Sequence, residues 1–123
     1  NVAIGQRLVR MLCMECREKK ALIPEELERL KTTYPNFLKN GGDFYGGKGC
    51  SACGNTGYSG RVGIYEILEV DEDIRQALMK QANGSDIKLI AMQKGMTTMA
   101  EDGLRKALEG LTTVEEILRV TSD

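Results

Sequence analysis

The 123-residue sequence contains no histidine and no tryptophan. Without histidine the chain lacks the commonest general base, any Ser–His or Cys–His nucleophile pair, and any histidine-containing zinc site. No apolar run approaches the ~18 residues of a membrane-spanning helix, and no basic start is followed by the apolar stretch of a secretory signal. We therefore expect a chain that does not span a membrane, with a cytoplasmic location and no enzymatic activity of its own.

Neither sign of charge dominates the chain. It has 17 basic and 18 acidic residues and a formal net charge of −1. This balance argues against a nucleic-acid-binding protein, whose affinity comes from neutralising phosphates. Aromatic residues make up only 5% of the sequence and are scattered along it, whereas stacking on single strands needs a clustered aromatic face. We therefore expect no nucleic-acid partner, and we interpret the basic residues between positions 7 and 20 as the solvated face of a helix near an anionic metal site.

The sequence does contain two Cys-x-x-Cys pairs, Cys13 with Cys16 and Cys50 with Cys53, separated by 33 residues. Two intervening residues let both sulfurs of a pair face one point, and two such knuckles supply the four tetrahedral ligands that Zn²⁺ prefers. All four positions are then filled by protein, so the predicted zinc ion is structural. Gly54 follows the second pair, where the backbone of a knuckle often needs a positive φ.

Other chemistry is open to the same cysteines. Two disulfides would need an oxidising compartment, which the lack of an export signal does not favour. Iron in a rubredoxin-like site would use the same four sulfurs. We favour zinc because nothing else in the sequence indicates electron transfer.

The first 70 residues have mixed secondary-structure signals. The spacing of Leu8, Val9 and Leu12 predicts a first helix over residues 2–12. Pro24, followed by acidic residues, predicts a second helix that ends near Tyr34. Residues 40–63 are too rich in glycine for a helix. Segments 43–48 and 61–70 flank the second cysteine pair, and we interpret them as the arms of a β-hairpin with the metal loop at its tip.

The rest of the chain has start and stop signals for four short helices. Their predicted bounds are Asp71 to about Gln81, Ser85 to Lys94 before Gly95, Thr98 to Glu109 before Gly110, and 114–120 with a capping box of Thr113 and Glu116. The sequence thus predicts an α+β fold in two parts. Residues 1–70 form a small tetracysteine zinc-knuckle module with a helix and a β-hairpin, and residues 71–123 form a helical C-terminal subdomain, a bundle of short α-helices.

A series of short motifs follows one order along nearly the whole chain. They are Gln6-Arg7-Leu8-Val9-Arg10, Gly49-Cys50 to Cys53, Thr56-Gly57-Tyr58, Gly60-Arg61, Gly63-Ile64-Tyr65-Glu66, Gly95-Met96, Glu101-Asp102-Gly103-Leu104-Arg105-Lys106 and Leu118-Arg119-Val120-Thr121. This order resembles the C-terminal end of the secretion ATPases of type II secretion and type IV pilus assembly (GspE/PilB type). The resemblance is weakest over residues 18–40.

The resemblance implies a part of a hexameric cytoplasmic motor at the inner membrane, where ATP hydrolysis drives pilin or pseudopilin assembly. The family's four metal-site cysteines map onto Cys13, Cys16, Cys50 and Cys53. The implied partners are the rest of the parent ATPase, its hexamer neighbours and the inner-membrane platform proteins.

The family's catalytic parts do not map onto this chain. No G-x-x-x-x-G-K-[ST] loop is present, since Gly47-Lys48 is followed by Gly49. We expect ATP and Mg²⁺ to bind only in the parent protein, through a phosphate loop upstream of Asn1. The chain begins with Asn1, which indicates a piece of something longer.

Two further interpretations belong to other function classes. One is a stand-alone zinc-ribbon-like module that binds protein or nucleic acid, supported only by the basic residues near the first cysteine pair. The other is the cysteine-rich module of DnaJ-type chaperones, because Cys50-Ser-Ala-Cys53-Gly-Asn-Thr-Gly57 resembles one of its repeats. Asn55 stands where that pattern has glycine, and the fourfold repetition is missing.

Overall fold

The computed structural model describes residues 2–34 and 43–121. The elements are strands β1 (Val2–Leu12), β2 (Arg17–Lys19), β3 (Tyr45–Gly47) and β4 (Tyr58–Glu69), and helices α1 (Pro24–Thr33), α2 (Glu72–Met79), α3 (Gly84–Gln93), α4 (Met99–Leu108) and α5 (Val114–Thr121), with a 3₁₀ turn at Ser51–Cys53. The fold is α+β, as predicted. In the part of the chain thus described, no helix is long and apolar enough to cross a membrane.

The predicted helix over residues 2–12 is wrong, because this segment is strand β1. It pairs antiparallel with β4, from Val2 opposite Glu69 to Leu12 opposite Tyr58. The register shifts between Arg10 and Leu12, so Val9 and Leu12 are both buried although they lie three residues apart. A strand irregularity therefore mimics the apolar spacing of a helix.

The predicted hairpin is also paired differently. Segments 43–48 and 61–70 do form strands, but β3 pairs antiparallel with β2, with Arg17 opposite Gly47. Its expected partner, β4, pairs with β1 instead. The two cysteine pairs thus lie at the ends of two antiparallel ribbons rather than at the tip of one hairpin.

The helical signals were largely correct. The Asp71 carboxylate accepts the Ile74 N–H at 3.0 Å, and Thr98 caps α4 by accepting the Glu101 N–H at 3.2 Å. The exception is helix α3, for which the sequence predicts Ser85 as the N-cap. The side chain of Asn83 caps this helix instead, by accepting the Asp86 N–H at 2.9 Å. Asn and Ser cap helices about equally well, so residue type alone does not decide between these two positions.

The core is shared by residues from both sides of position 70. Its buried side chains are Val9, Leu30, Phe44, Ile64, Leu104, Ala107, Val114 and Ile117. Helices α4 and α5 pack against the β1–β4 ribbon, and six of these residues lie in those four elements: Val9, Ile64, Leu104, Ala107, Val114 and Ile117. The division into a zinc module at 1–70 and a helical subdomain at 71–123 stays a prediction.

One buried carboxylate fixes α5 to β1. Glu116, with 1% of its surface exposed, accepts the Arg10 backbone N–H at 2.8 Å and also bonds the guanidinium groups of Arg10 and Arg119. Burial opposes ionisation of this carboxyl, but hydrogen bonds from Arg119 and Arg10 outweigh it and lower its pKa to about 2. Thr113 accepts the Glu116 N–H as expected of a capping box, but the Glu116 carboxylate binds the strand instead of completing that box.

Candidate metal centre

The four cysteines lie where the two ribbons end. Cys13 directly follows β1, and Cys16 directly precedes β2. Cys50 and Cys53 bracket the 3₁₀ turn between β3 and β4. Because β1 pairs with β4 and β2 with β3, the strands bring cysteines that are far apart in the sequence to one place.

The four sulfur atoms all lie within 4.8 Å of one another. The Sγ–Sγ distance is 3.8 Å for Cys13 with Cys50, for Cys16 with Cys53 and for Cys50 with Cys53. Four sulfurs at about 2.3 Å from a central Zn²⁺ in a regular tetrahedron would be about 3.8 Å apart. The cysteines are free, and the donor set and spacing fit a tetrathiolate metal site.

Backbone N–H groups surround the sulfurs. The Gly49 N–H donates to Cys16 Sγ, with 3.3 Å between nitrogen and sulfur. The N–H groups of Cys50 and Gly57 donate to Cys53 Sγ at 3.4 and 3.2 Å. Such hydrogen bonds spread the negative charge of thiolates and orient them as metal ligands.

Burial and backbone hydrogen bonds shift the pKa values of two of these thiols in opposite directions. Burial raises the pKa of the Cys16 thiol to about 12. At Cys53 burial acts in the same direction, but the N–H groups of Cys50 and Gly57 outweigh it and lower the pKa to about 6. A divalent ion would favour the thiolate form of each cysteine that binds it.

The second knuckle depends on glycine at two places. Gly54 has φ +63°, as predicted from its position after Cys53. Gly57 lies against Gly47 so closely that a Cβ on Gly47 would be 2.3 Å from the Gly57 carbonyl oxygen. This approach lets the Gly57 carbonyl accept the Cys13 N–H at 2.9 Å, which joins the two cysteine pairs through the backbone.

Sequence reasoning did not find the contribution of the turn between α4 and α5, residues 109–113. The Arg17 guanidinium, next to Cys16, donates to the Gly110 carbonyl oxygen at 2.7 Å. The Leu12 N–H, next to Cys13, donates to the Leu111 carbonyl oxygen at 2.9 Å. Gly110 with its positive φ was recognised only as a helix stop, and no sequence pattern connects it to the cysteines.

The chain thus has an α+β fold and a cluster of four cysteines whose geometry is compatible with metal binding. The family model described as "Type II/IV secretion system protein" matches residues 1–119. The chain therefore belongs to the type II/IV secretion system protein family.

Two relatives illustrate this membership. The type IV pilus assembly ATPase PilB of Thermus thermophilus is 46% identical over 118 residues, which are 96% of this chain and 13% of the relative. The type II secretion system protein E of Xanthomonas campestris pv. campestris is 43% identical over 123 residues, which are 100% of this chain and 21% of the relative. The chain thus spans about an eighth to a fifth of the length of these relatives.

Proposed function

We propose that Cys13, Cys16, Cys50 and Cys53 hold one structural zinc ion. The observation that carries this proposal is the set of Sγ–Sγ distances of 3.8 Å, which fit tetrahedral Zn–S bonds of about 2.3 Å. With four protein ligands, the ion has no open position for water or substrate. Its role is to hold the ends of the two ribbons together.

Metal content tests this proposal. Protein purified under reducing conditions is expected to contain about one equivalent of zinc, because a tetrathiolate site binds Zn²⁺ with an apparent free energy of ~10–16 kcal/mol. The measurement is elemental analysis with a free-thiol count on the denatured protein. Iron in place of zinc, cysteines joined as disulfides, or metal-free protein that is natively folded would each contradict it.

We further propose that the chain is the zinc-binding C-terminal region of a hexameric motor ATPase. This motor would drive pilin or pseudopilin assembly or protein export from the cytoplasmic side of the inner membrane. Support comes from the family membership and from relatives named as a type IV pilus assembly ATPase and a type II secretion system protein. The same findings favour this role over a stand-alone zinc-ribbon or chaperone-type module.

An exposed apolar face on the β1–β4 ribbon supports contacts with other parts of a larger assembly. Val2, Ile4 and Leu8 of β1 and Ile67 of β4 are each more than half exposed. In the antiparallel register, Ile4 lies opposite Ile67, so these side chains share one face. Contiguous exposed apolar side chains mark interaction sites. In our proposal the partners are the rest of the parent ATPase, its hexamer neighbours and the inner-membrane platform proteins.

The isolated chain is expected to show no ATP hydrolysis above a mock preparation. A nucleotide needs a phosphate loop and a bound Mg²⁺, and the sequence has no G-x-x-x-x-G-K-[ST] motif. Phosphate release by the purified chain and by the full parent protein, in the same buffer with Mg²⁺ and ATP, makes the comparison. Activity in the isolated chain that co-purifies with it through two columns would overturn the expectation.

A further inference from the structure

We propose that Arg17 and the α4–α5 turn position the first cysteine pair. The C-terminal helical part of the chain then helps to determine the zinc affinity of the metal centre. This inference rests on the proposed zinc site and goes beyond it. It makes Arg17 a positioning residue that acts on the ligands from outside the sulfur cluster.

The two cysteine pairs are supported in different ways. The second pair lies on its own 3₁₀ turn, and Cys53 Sγ receives two of the three backbone N–H···S contacts found in residues 2–34 and 43–121. The first pair lies between the end of β1 and the start of β2. Its flanking residues, Leu12 and Arg17, both bond to the α4–α5 turn.

The Arg17 guanidinium lies in close contact with Gly110 and near the Tyr45 ring. It donates to the Gly110 carbonyl oxygen at 2.7 Å and lies 5.8 Å from the centre of the Tyr45 ring. A Cβ on Gly110 would be 2.7 Å from Arg17 Nη1 and 3.3 Å from the Tyr45 ring. Gly110, with its φ of +79°, thus places its carbonyl oxygen against Arg17, the first residue of β2 and the neighbour of Cys16.

Contacts on the other side of the first pair fix the same turn. The Thr112 hydroxyl donates to the Arg10 carbonyl oxygen at 2.8 Å, and both Leu12 and Thr112 are fully buried. Tyr58 and Thr113 are joined by a hydroxyl–hydroxyl bond of 2.9 Å. The turn is therefore held on β1, on β4 and at the start of β2, on both sides of Cys13 and Cys16.

The coupling must be reciprocal. If docking of the turn raises zinc affinity, zinc binding stabilises the docked turn by the same free energy. Residues outside the ligand shell that orient metal ligands typically contribute 10–100-fold to affinity. We expect Arg17 to lie in this range, because its side chain is the polar link from the Cys16 side of the pair to the turn.

Substitution of Arg17 tests the inference on the 123-residue chain. Arg17→Met is expected to weaken zinc binding about 10–100-fold in competition with a chromophoric chelator, and to shift the visible d–d bands of the Co²⁺-loaded protein. Arg17→Lys, which keeps a donor, should recover part of the affinity. Arg75→Met is the matched control, since Arg75 is an exposed arginine of α2 that pairs only with Glu72 among the ion pairs of the described residues.

Hydrogen exchange measures the reciprocal effect, the stabilisation of the docked turn by zinc. The Leu12 amide donates to the turn, so zinc should slow its exchange in the wild-type chain. In Arg17→Met, zinc should slow the exchange of this amide to a smaller extent. Zinc affinity and Co²⁺ spectrum of Arg17→Met equal to those of the control would overturn the inference and leave the zinc site standing. A wild-type chain that binds no zinc would instead overturn the proposed function.

Discussion

Replacing Cys50 with serine is expected to release the metal and to unfold most of the segment from β1 to the start of β4. Apparent zinc-binding free energies of ~10–16 kcal/mol in small modules equal or exceed the ~5–15 kcal/mol by which domains are stable. Cys50 Sγ is 3.8 Å from the sulfurs of both Cys13 and Cys53, so its loss leaves three thiolates without their common cation. Some helical structure should survive in residues 71–121, because α2 and α3 pack mainly on each other.

The measurement is amide exchange and limited proteolysis with metal analysis of the same sample. Ser51→Ala is the matched control, because Ser51 is an exposed neighbour in the same 3₁₀ turn. It should retain the metal and the wild-type protection pattern. If Cys50→Ser were as protected as Ser51→Ala throughout β1 and β2, zinc would have no structural role in this fold. Loss of all helical signal would contradict the division of the chain near residue 70.

Gly47→Ala should destabilise the zinc-loaded chain by about 3 kcal/mol, at the upper end of overpacking effects. The new Cβ would lie 2.3 Å from the Gly57 carbonyl oxygen and 2.5 Å from the Gly57 Cα. Both are backbone atoms, so no flexible side chain can move aside. Separation of the two segments would also pull the Gly57 carbonyl from the Cys13 N–H, now 2.9 Å away.

Gly84→Ala is the control for this substitution. Gly84 is the first residue of α3, and a Cβ there has nothing within 4 Å. Alanine should be neutral or stabilise by up to ~1 kcal/mol because it favours the helix. Urea unfolding of both variants at saturating zinc gives the two free energies of unfolding. Equal stability of Gly47→Ala and wild type would mean that the contact of Gly47 with Gly57 is not as close as the structure shows.

Much of this molecule could be predicted from local signals. The two Cys-x-x-Cys pairs define the sulfur cluster because the chemistry of Zn²⁺ needs four ligands, and the structure brings all four together. The helices after Asp71 were predictable because capping and stop signals act within a few residues.

The pairing of strands was not predictable in the same way. β1 and β2 find partners that lie at least 26 residues further along the chain, and the apolar spacing of residues 2–12 fits a helix as well as an irregular strand. The role of Glu116 was missed for a related reason. Its carboxylate lies three residues after Thr113, as a capping box requires, yet it bonds the backbone of Arg10, 106 residues away. Only the tertiary fold shows which of the two hydrogen bonds forms.

The long-range pairing of β1 with β4 has a consequence during synthesis. β1 ends at Leu12, and its partner begins only at Tyr58. At ribosomal speeds of ~5–20 residues per second, roughly 2–10 s pass between the synthesis of Leu12 and that of Tyr58. During that interval Val9 and Leu12, which the folded chain buries, remain exposed on a segment with two unpaired strand edges, and such a segment can associate with other chains. Nascent chains of this kind should therefore depend on holding chaperones until the second knuckle has emerged.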